Sequence, residues 1–419
     1  MGVEDGASAI GARARMIRRR RGLSLDVVAG LAGITKTYLS MLELGQRGFN
    51  RRGLIEDLAH ALGCSVVDLT GQPYPQPVDR WTVDAASSLD DIRLCLNDYA
   101  FDEIPTVSPR PLEALVSETD DASAHRDQAR YHSAGQNLRS GVLLELQSHI
   151  YARASTDRQT ALAALVDAWM IAAAVAKNFG YIDLSQAATQ RGHDYAELHG
   201  GPGVLSFARW YLALGLMRLA ARNRAAALLG QAIDDFSPTI QLTTSDTTVA
   251  QMVGLMHLTS AQTAARSGSS HDAHRHLDEA DRIAQRVGER NALRRHFGPT
   301  NIAAWRLAVG IELSEGARAY ADATSLPITV QALGSSERTA ALHLDFSRAL
   351  AQENGQRDWD AIRHLDSADR IAPQLIRPDP IARDLLTTLV RRASRRMWEL
   401  DSLRHRFGVG GQGPRSVDN

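Results

Sequence analysis

The chain has 419 residues, with 47 Lys and Arg against 48 Asp and Glu and a formal net charge of −1. That length is too great for one compact domain and suits a small head with a large body. A hydrophobic content of 44% with only 5% aromatics favours helix-on-helix packing through small residues. Two cysteines, Cys64 and Cys95, exclude a disulfide framework and point to a reducing, cytoplasmic compartment. No apolar run approaches the ~20 residues of a bilayer span, so no membrane partner is expected, and the first residues lack the apolar core of a signal peptide.

Residues 10–69 predict five short helices. Ser24 is placed to cap a helix starting at Leu25, and Ala29 is small where two helices must cross. Gly33 supplies a tight turn, Ile34 plugs the core, and Thr35 caps a second helix running through Leu44. Leu39 and Leu42 fall on the inner face of that helix, leaving Lys36, Thr37, Tyr38 and Ser40 on the other, where a recognition helix meets base edges. Arg47, Arg51 and Arg52 are the expected phosphate contacts, with Arg18 among a further cluster through Arg21. Residues 1–52 hold ten basic and four acidic side chains, a charge of +6 on one module of a neutral protein and the electrostatic footprint of a double-stranded DNA reader. The pattern A-xxx-G-I-T-xxx-L-xx-LE-x-G resembles the Cro/cI-type (XRE) helix-turn-helix family. Leu25 stands where that family often has a phosphate-binding Gln.

The domain reading is a helix-turn-helix head over 1–72, a Pro-rich linker over 73–88, a helical-repeat body over 89–408 and a disordered tail over 409–419. Three prolines in TGQPYPQPVDR favour a stiff, extended spacer. Beyond it, helices are expected near 87–99, 109–117, 124–154, 157–178, 182–199, 203–221, 224–236, 246–267, 270–287, 291–313, 316–323, 336–353, 358–372 and 379–407, with no convincing strand.

A repeat lies inside the body. DAHRHLDEADRIAQ (272–285) and DAIRHLDSADRIAP (360–373) share eleven of fourteen positions. Ala361, Ala368 and Pro373, with Ala273 and Ala280 in the other copy, have the spacing of a tetratricopeptide repeat (TPR). Trp210, Ala226 and Pro238 mark a third unit, with Leu214-Gly215 displaced by one. The expected fold class is all-α, the head followed by an α-solenoid of TPR type. With the segment FGPTNIAAWRLAVGIELSEG, this order resembles the large helix-turn-helix/TPR regulators of actinomycetes. In architecture it is also similar to the peptide-pheromone receptor regulators.

Asn301 and Trp305 share one helix face behind a Gly298-Pro299 break. They form either a ligand clamp or a cap and a core side chain. Asn178 with Trp169, and Trp210 with Arg209, are weaker versions of the same argument. His271, His274 and His276 do not make a metal site, since His276 matches His364 in a copy lacking the other two. Arg391, Arg392, Arg395, Arg396, Arg404 and Arg406 are expected on the solvated face of a capping helix. There is no nucleophile elbow, P-loop, dinucleotide fingerprint or HExxH, so neither catalysis nor a cofactor is expected. The resemblance implies a nucleoid-associated, homodimeric transcriptional regulator whose body binds a peptide or small-molecule effector. The alternative is a DNA-tethered adaptor with a constitutive protein partner.

Overall fold

The places where helices stop follow from local backbone chemistry. A computed structural model describes residues 9–74, 80–139, 141–151, 157–240, 246–325, 333–353, 355–393 and 395–409, with backbone alone over 80–86. Among these residues there is no strand, only an isolated bridge between Arg290 and Phe297. The tail and residues 75–79 of the linker lie outside the described residues. Helix already begins at Arg80, inside the stretch expected to be linker.

The head comprises α1 (Ala9–Arg20), α2 (Leu25–Leu31), α3 (Lys36–Glu43), α4 (Arg52–Leu62) and α5 (Val66–Thr70). Ser24 accepts from the Val27 amide and Thr35 from the Tyr38 amide, so both expected caps are in place. Gly33 sits at φ +65°, a left-handed conformation that other residues adopt at a cost. Ile34 is only half-buried. Val28, Leu39, Leu42, Leu54 and Leu58 are nearly inaccessible and form the core between the helices. A Cβ on Gly11 would lie 2.1 Å from the Leu42 carbonyl oxygen, so α1 and α3 cross at backbone contact.

Ten helices follow: α6 (Arg80–Asp98), α7 (Leu112–Asp127), α8 (Tyr131–Leu138), α9 (Val142–Tyr151), α10 (Arg158–Asn178), α11 (Ile182–His199), α12 (Pro202–Arg218), α13 (Arg222–Phe236), α14 (Thr248–Arg266) and α15 (Ser270–Val287). The single helix expected over 124–154 is three, interrupted where Ala129 (φ +55°) and Gly141 (φ +86°) turn left-handed. From α10 to α15 each helix packs on the next in chain order, the nearest-neighbour pattern of a repeat array. Helix α10 is long and apolar enough to cross a bilayer, with mean hydropathy 1.6, so the sequence reading that no segment qualifies is corrected. Its length is nonetheless buried against α7, α9 and α11, and its Asp167 pairs with Arg295 at 3.2 Å.

The remaining helices are α16 (Pro299–Glu312), α17 (Gly316–Ser325), α18 (Ser336–Ala351), α19 (Asp358–Ile371), α20 (Pro373–Ile376), α21 (Pro380–Arg392) and α22 (Trp398–Phe407). Helix α16 starts eight residues later than expected, because 288–298 form a loop with Leu293, Arg294 and His296 all at positive φ. The expected helix over 379–407 breaks after Arg392. In both strong repeats the small residues are fully buried: Ala273 and Ala280, Ala361 and Ala368. In the third unit Trp210 is buried, but Ala226 is exposed and Ala225 takes the inward place, a one-residue phase slip.

The chain forms two compact units. The first joins Met1–Gly71 to Gly310–Asp322 and Ala340–Asn419, and the second contains Gln72–Val309 and Ala323–Thr339.

Candidate nucleic-acid interface

Helix α3 presents the expected reading face. Lys36 and Thr37 are exposed, and Tyr38 and Ser40 are half-buried, while Leu39 and Leu42 face the core. Lys36 also reaches Asp26 at 2.8 Å; both side chains are mostly exposed, so the pair opens readily to a base or phosphate.

Arg18, read above as a phosphate contact, is placed differently. Its Nε and Nη2 donate to the two Glu43 oxygens at 2.6 and 2.8 Å, and Nη1 donates to the Leu23 carbonyl. The bond to Glu43 raises its pKa against the opposing pull of burial. This buried fork ties α1 to α3 and leaves Arg19, Arg20 and Arg21 as the exposed cations of the cluster.

The loop between α3 and α4 and the start of α4 are bound by the chain's own C-terminal helices within the first unit. The Glu312 carboxylate accepts from the Arg52 and Gly53 amides, both at 3.1 Å, and from Arg348 Nη2 at 2.7 Å. Arg51, the N-cap residue, makes no side-chain cap bond, so Glu312 supplies the anion at this helix N-terminus. Asp384 accepts from the Phe49 amide at 2.6 Å. Arg348 donates to the Asn50 carbonyl at 3.0 Å, and Arg391 donates to the Leu44 and Gly45 carbonyls. Burial pulls the Arg348 pKa down, but the carboxylates of Asp345 and Glu312 outweigh it and leave the guanidinium firmly charged. Arg391 is exposed as expected, yet its guanidinium reaches back to these head carbonyls. Arg406, in contrast, is half-buried and pairs with Asp366 and Asp369. Arg396 is exposed as expected.

Of the four residues expected to hold a ligand, one lines a cavity. Asn301, 2% exposed, borders a space of about 190 Å³ with Glu289, Arg290, Asn291, His296 and Leu333. Neither its amide nitrogen nor its oxygen has a hydrogen-bond partner among the described residues. Trp305 is half-buried and is not in that lining. Asn178 and Trp210 act as core groups: Asn178 donates to the Ala174 carbonyl and Trp210 to Thr259 Oγ1 at 2.9 Å. His276 bonds His257 Nδ1 to Nδ1 at 3.0 Å, and the repeat reproduces this as His343 and His364 at 3.0 Å. No cluster of three metal-ligating side chains occurs among the described residues.

Residues 9–70 match the family described as a helix-turn-helix domain. The head is a DNA-binding domain. The protein is accordingly a DNA-binding transcriptional regulator. No curated protein matches the chain. Among solved structures it is similar to Bacillus thuringiensis PlcR in complex with the peptide PapR7 and DNA, at 12% identity and TM-score 0.27, covering 67% of this chain and 95% of that one. It is also similar to the apo form of the competence regulator ComR from Streptococcus vestibularis, at 14% identity and TM-score 0.24, covering 72% and 98%. ComR from Streptococcus suis matches at 11% and 0.23, covering 68% and 91%.

Proposed function

We propose that this regulator reads its operator as a homodimer and is held by its own C-terminal helices in a form of low DNA affinity. An effector, a peptide or a small molecule, releases it. The observation that carries the reading is the pair of carboxylates, Glu312 and Asp384, on the backbone amides of Phe49, Arg52 and Gly53. Amides at a helix N-terminus are ready-made anion sites, and in a DNA complex the anion there is a phosphate. A carboxylate and a phosphate cannot share those donors, so clamping and DNA binding exclude each other.

Lys36, Thr37, Tyr38 and Ser40 read bases in this account, and Arg47, Arg51 and Arg52 hold phosphates. The effector occupies the cavity at Asn301, whose unpaired donor and acceptor suit an amide group. Asn301 lies in the first turn of the helix that Glu312 ends. The test is selection from randomised DNA followed by titration at several salt concentrations. Thr37→Ala and Ser40→Ala should relax sequence preference, each lost base contact costing ~1–3 kcal/mol. Arg47→Ala and Arg51→Ala should weaken all DNA alike and flatten the salt dependence. Full discrimination by the Thr37 and Ser40 variants would mean that another element reads the bases.

A further inference from the structure

Within the first unit a second cavity, of about 370 Å³, opens beside the recognition helix. It is lined from the head by Tyr38, Met41, Arg47 and Arg51, and from the C-terminal helices by Gln352 and Arg392. Among the described residues no Asp or Glu lines it, so its described wall carries three positive charges and no formal negative one. The available counter-charges are thin. Arg51 reaches only the Glu312 backbone carbonyl, at 3.5 Å. Arg392 meets Asp358 at a long 3.4 Å. Arg47 makes no ion pair among the described residues.

We propose that this cavity binds a small phosphorylated anion of the nucleoside di- or triphosphate class, and that this ligand strengthens the clamp. Guanidinium forks match phosphate oxygens in pairs, and three of them converge here on one space. The volume falls within the ~300–1,000 Å³ of ligand sites and exceeds what a lone phosphate needs. Tyr38 adds an aromatic wall on which a base can stack. The same Tyr38, Arg47 and Arg51 belong to the proposed DNA-contacting set, so an occupant here denies them to DNA. It also bridges head arginines to Arg392 of the C-terminal helix α21. A ligand that binds the clamped form in preference to the open one shifts the equilibrium towards it by that difference in affinity. The proposal rests on the clamp described above, and its binding arm is measured without DNA, so the two can fail separately.

The experiment is calorimetric titration of the full-length protein with ATP, pyrophosphate and adenosine at constant ionic strength. The readout is then repeated as operator binding with and without 1 mM ATP. Arg392→Gln and Ser314→Glu are the variants. Both positions line the cavity, Ser314 is exposed, and neither is a proposed DNA contact. ATP and pyrophosphate should saturate one site per chain and adenosine should not bind. Each variant should weaken ATP binding about tenfold or more, consistent with loss of a charge-assisted phosphate contact. ATP should lower operator affinity about tenfold in the parent protein and little in Arg392→Gln. Absence of saturable ATP binding, unchanged binding in both variants, or adenosine binding as tightly as ATP would overturn the assignment. So would an equal loss of operator affinity in parent and Arg392→Gln, which is the signature of simple competition with DNA for the head.

Discussion

Replacing Glu312 with Gln should raise operator affinity. Glu312 is 4% exposed, and its carboxylate accepts from the Arg52 and Gly53 amides and from Arg348 Nη2. Gln preserves volume, so no cavity forms, but it removes the charge from the helix N-terminus and turns an NH2 towards donors. Hydrogen bonds to charged groups contribute ~1.5–3 kcal/mol each, and a charge at a helix terminus ~0.3–1 kcal/mol. Arg348 keeps Asp345 at 2.6 Å and the Asn50 carbonyl, and Asp384 keeps its half of the clamp, so only part of this is lost. A net weakening of the clamp by ~2 kcal/mol predicts up to roughly 30-fold tighter DNA binding, at about 1.4 kcal/mol per decade. Fluorescence anisotropy of labelled operator, with circular dichroism to confirm folding, gives the answer. A folded Glu312→Gln protein with parental or weaker affinity would refute the idea that this carboxylate occupies a phosphate's place.

Glu43→Ala should destabilise the head by ~1–3 kcal/mol, since it removes the carboxylate partner of the half-buried Arg18 while the bond to the Leu23 carbonyl remains, and chemical denaturation with a head-specific probe would measure it. The His257–His276 pair predicts acid sensitivity. Burial, reinforced by the charge of His276, lowers the His257 pKa to about 4 from 6.5, so the folded state resists protonation. Its contribution is full above pH 6.5, declines below it and is gone as pH falls through about 4. Allowing for partial solvent screening this amounts to ~1–2 kcal/mol, and His257→Phe should flatten thermal stability across that window. Sedimentation should show a dimer for the full chain and a monomer for residues 1–72; a monomeric full-length protein would remove the paired half-sites from the account. Asn301→Leu should satisfy the unpaired cavity wall and abolish any effector response while sparing ligand-free DNA binding, and an unaltered response would place the effector elsewhere.

The head was almost fully legible in the sequence, because caps, the Gly33 turn and the Leu39/Leu42 spacing are local signals. The repeat register was legible where small residues recur, at Ala273/Ala280 and Ala361/Ala368, and slipped by one at Ala226 where the pattern was imperfect. Three things were not legible. Arg18 looks like any other member of an arginine run until its long-range partner Glu43 is in place. Helix breaks at Ala129 and Ala393 carry no Pro or Gly at the decisive position, so tertiary contacts set them, whereas the 288–298 loop is bounded by Gly288 and by Gly298-Pro299, local signals that the expected helix from 291 overran. The clamp joins residues 259 or more positions apart, a distance over which neither periodicity nor charge pattern gives a signal. Glu312 and Asp384 read in sequence as ordinary helix carboxylates.

The central claim is that DNA binding and the clamp exclude each other, and a reversible covalent lock tests it directly. A Cβ at Gly48 would lie 3.3 Å from the Thr388 Cβ, close to the ~3.5–4.5 Å span of a disulfide. In a background with Cys64 and Cys95 replaced by Ser, Gly48→Cys with Thr388→Cys should form a bond that fixes the head on α21. The measurement is operator affinity of this protein oxidised and then reduced. The account predicts that specific binding is lost on oxidation and returns with reductant. Equal affinity in the two states, with the disulfide verified by mass spectrometry, would contradict it.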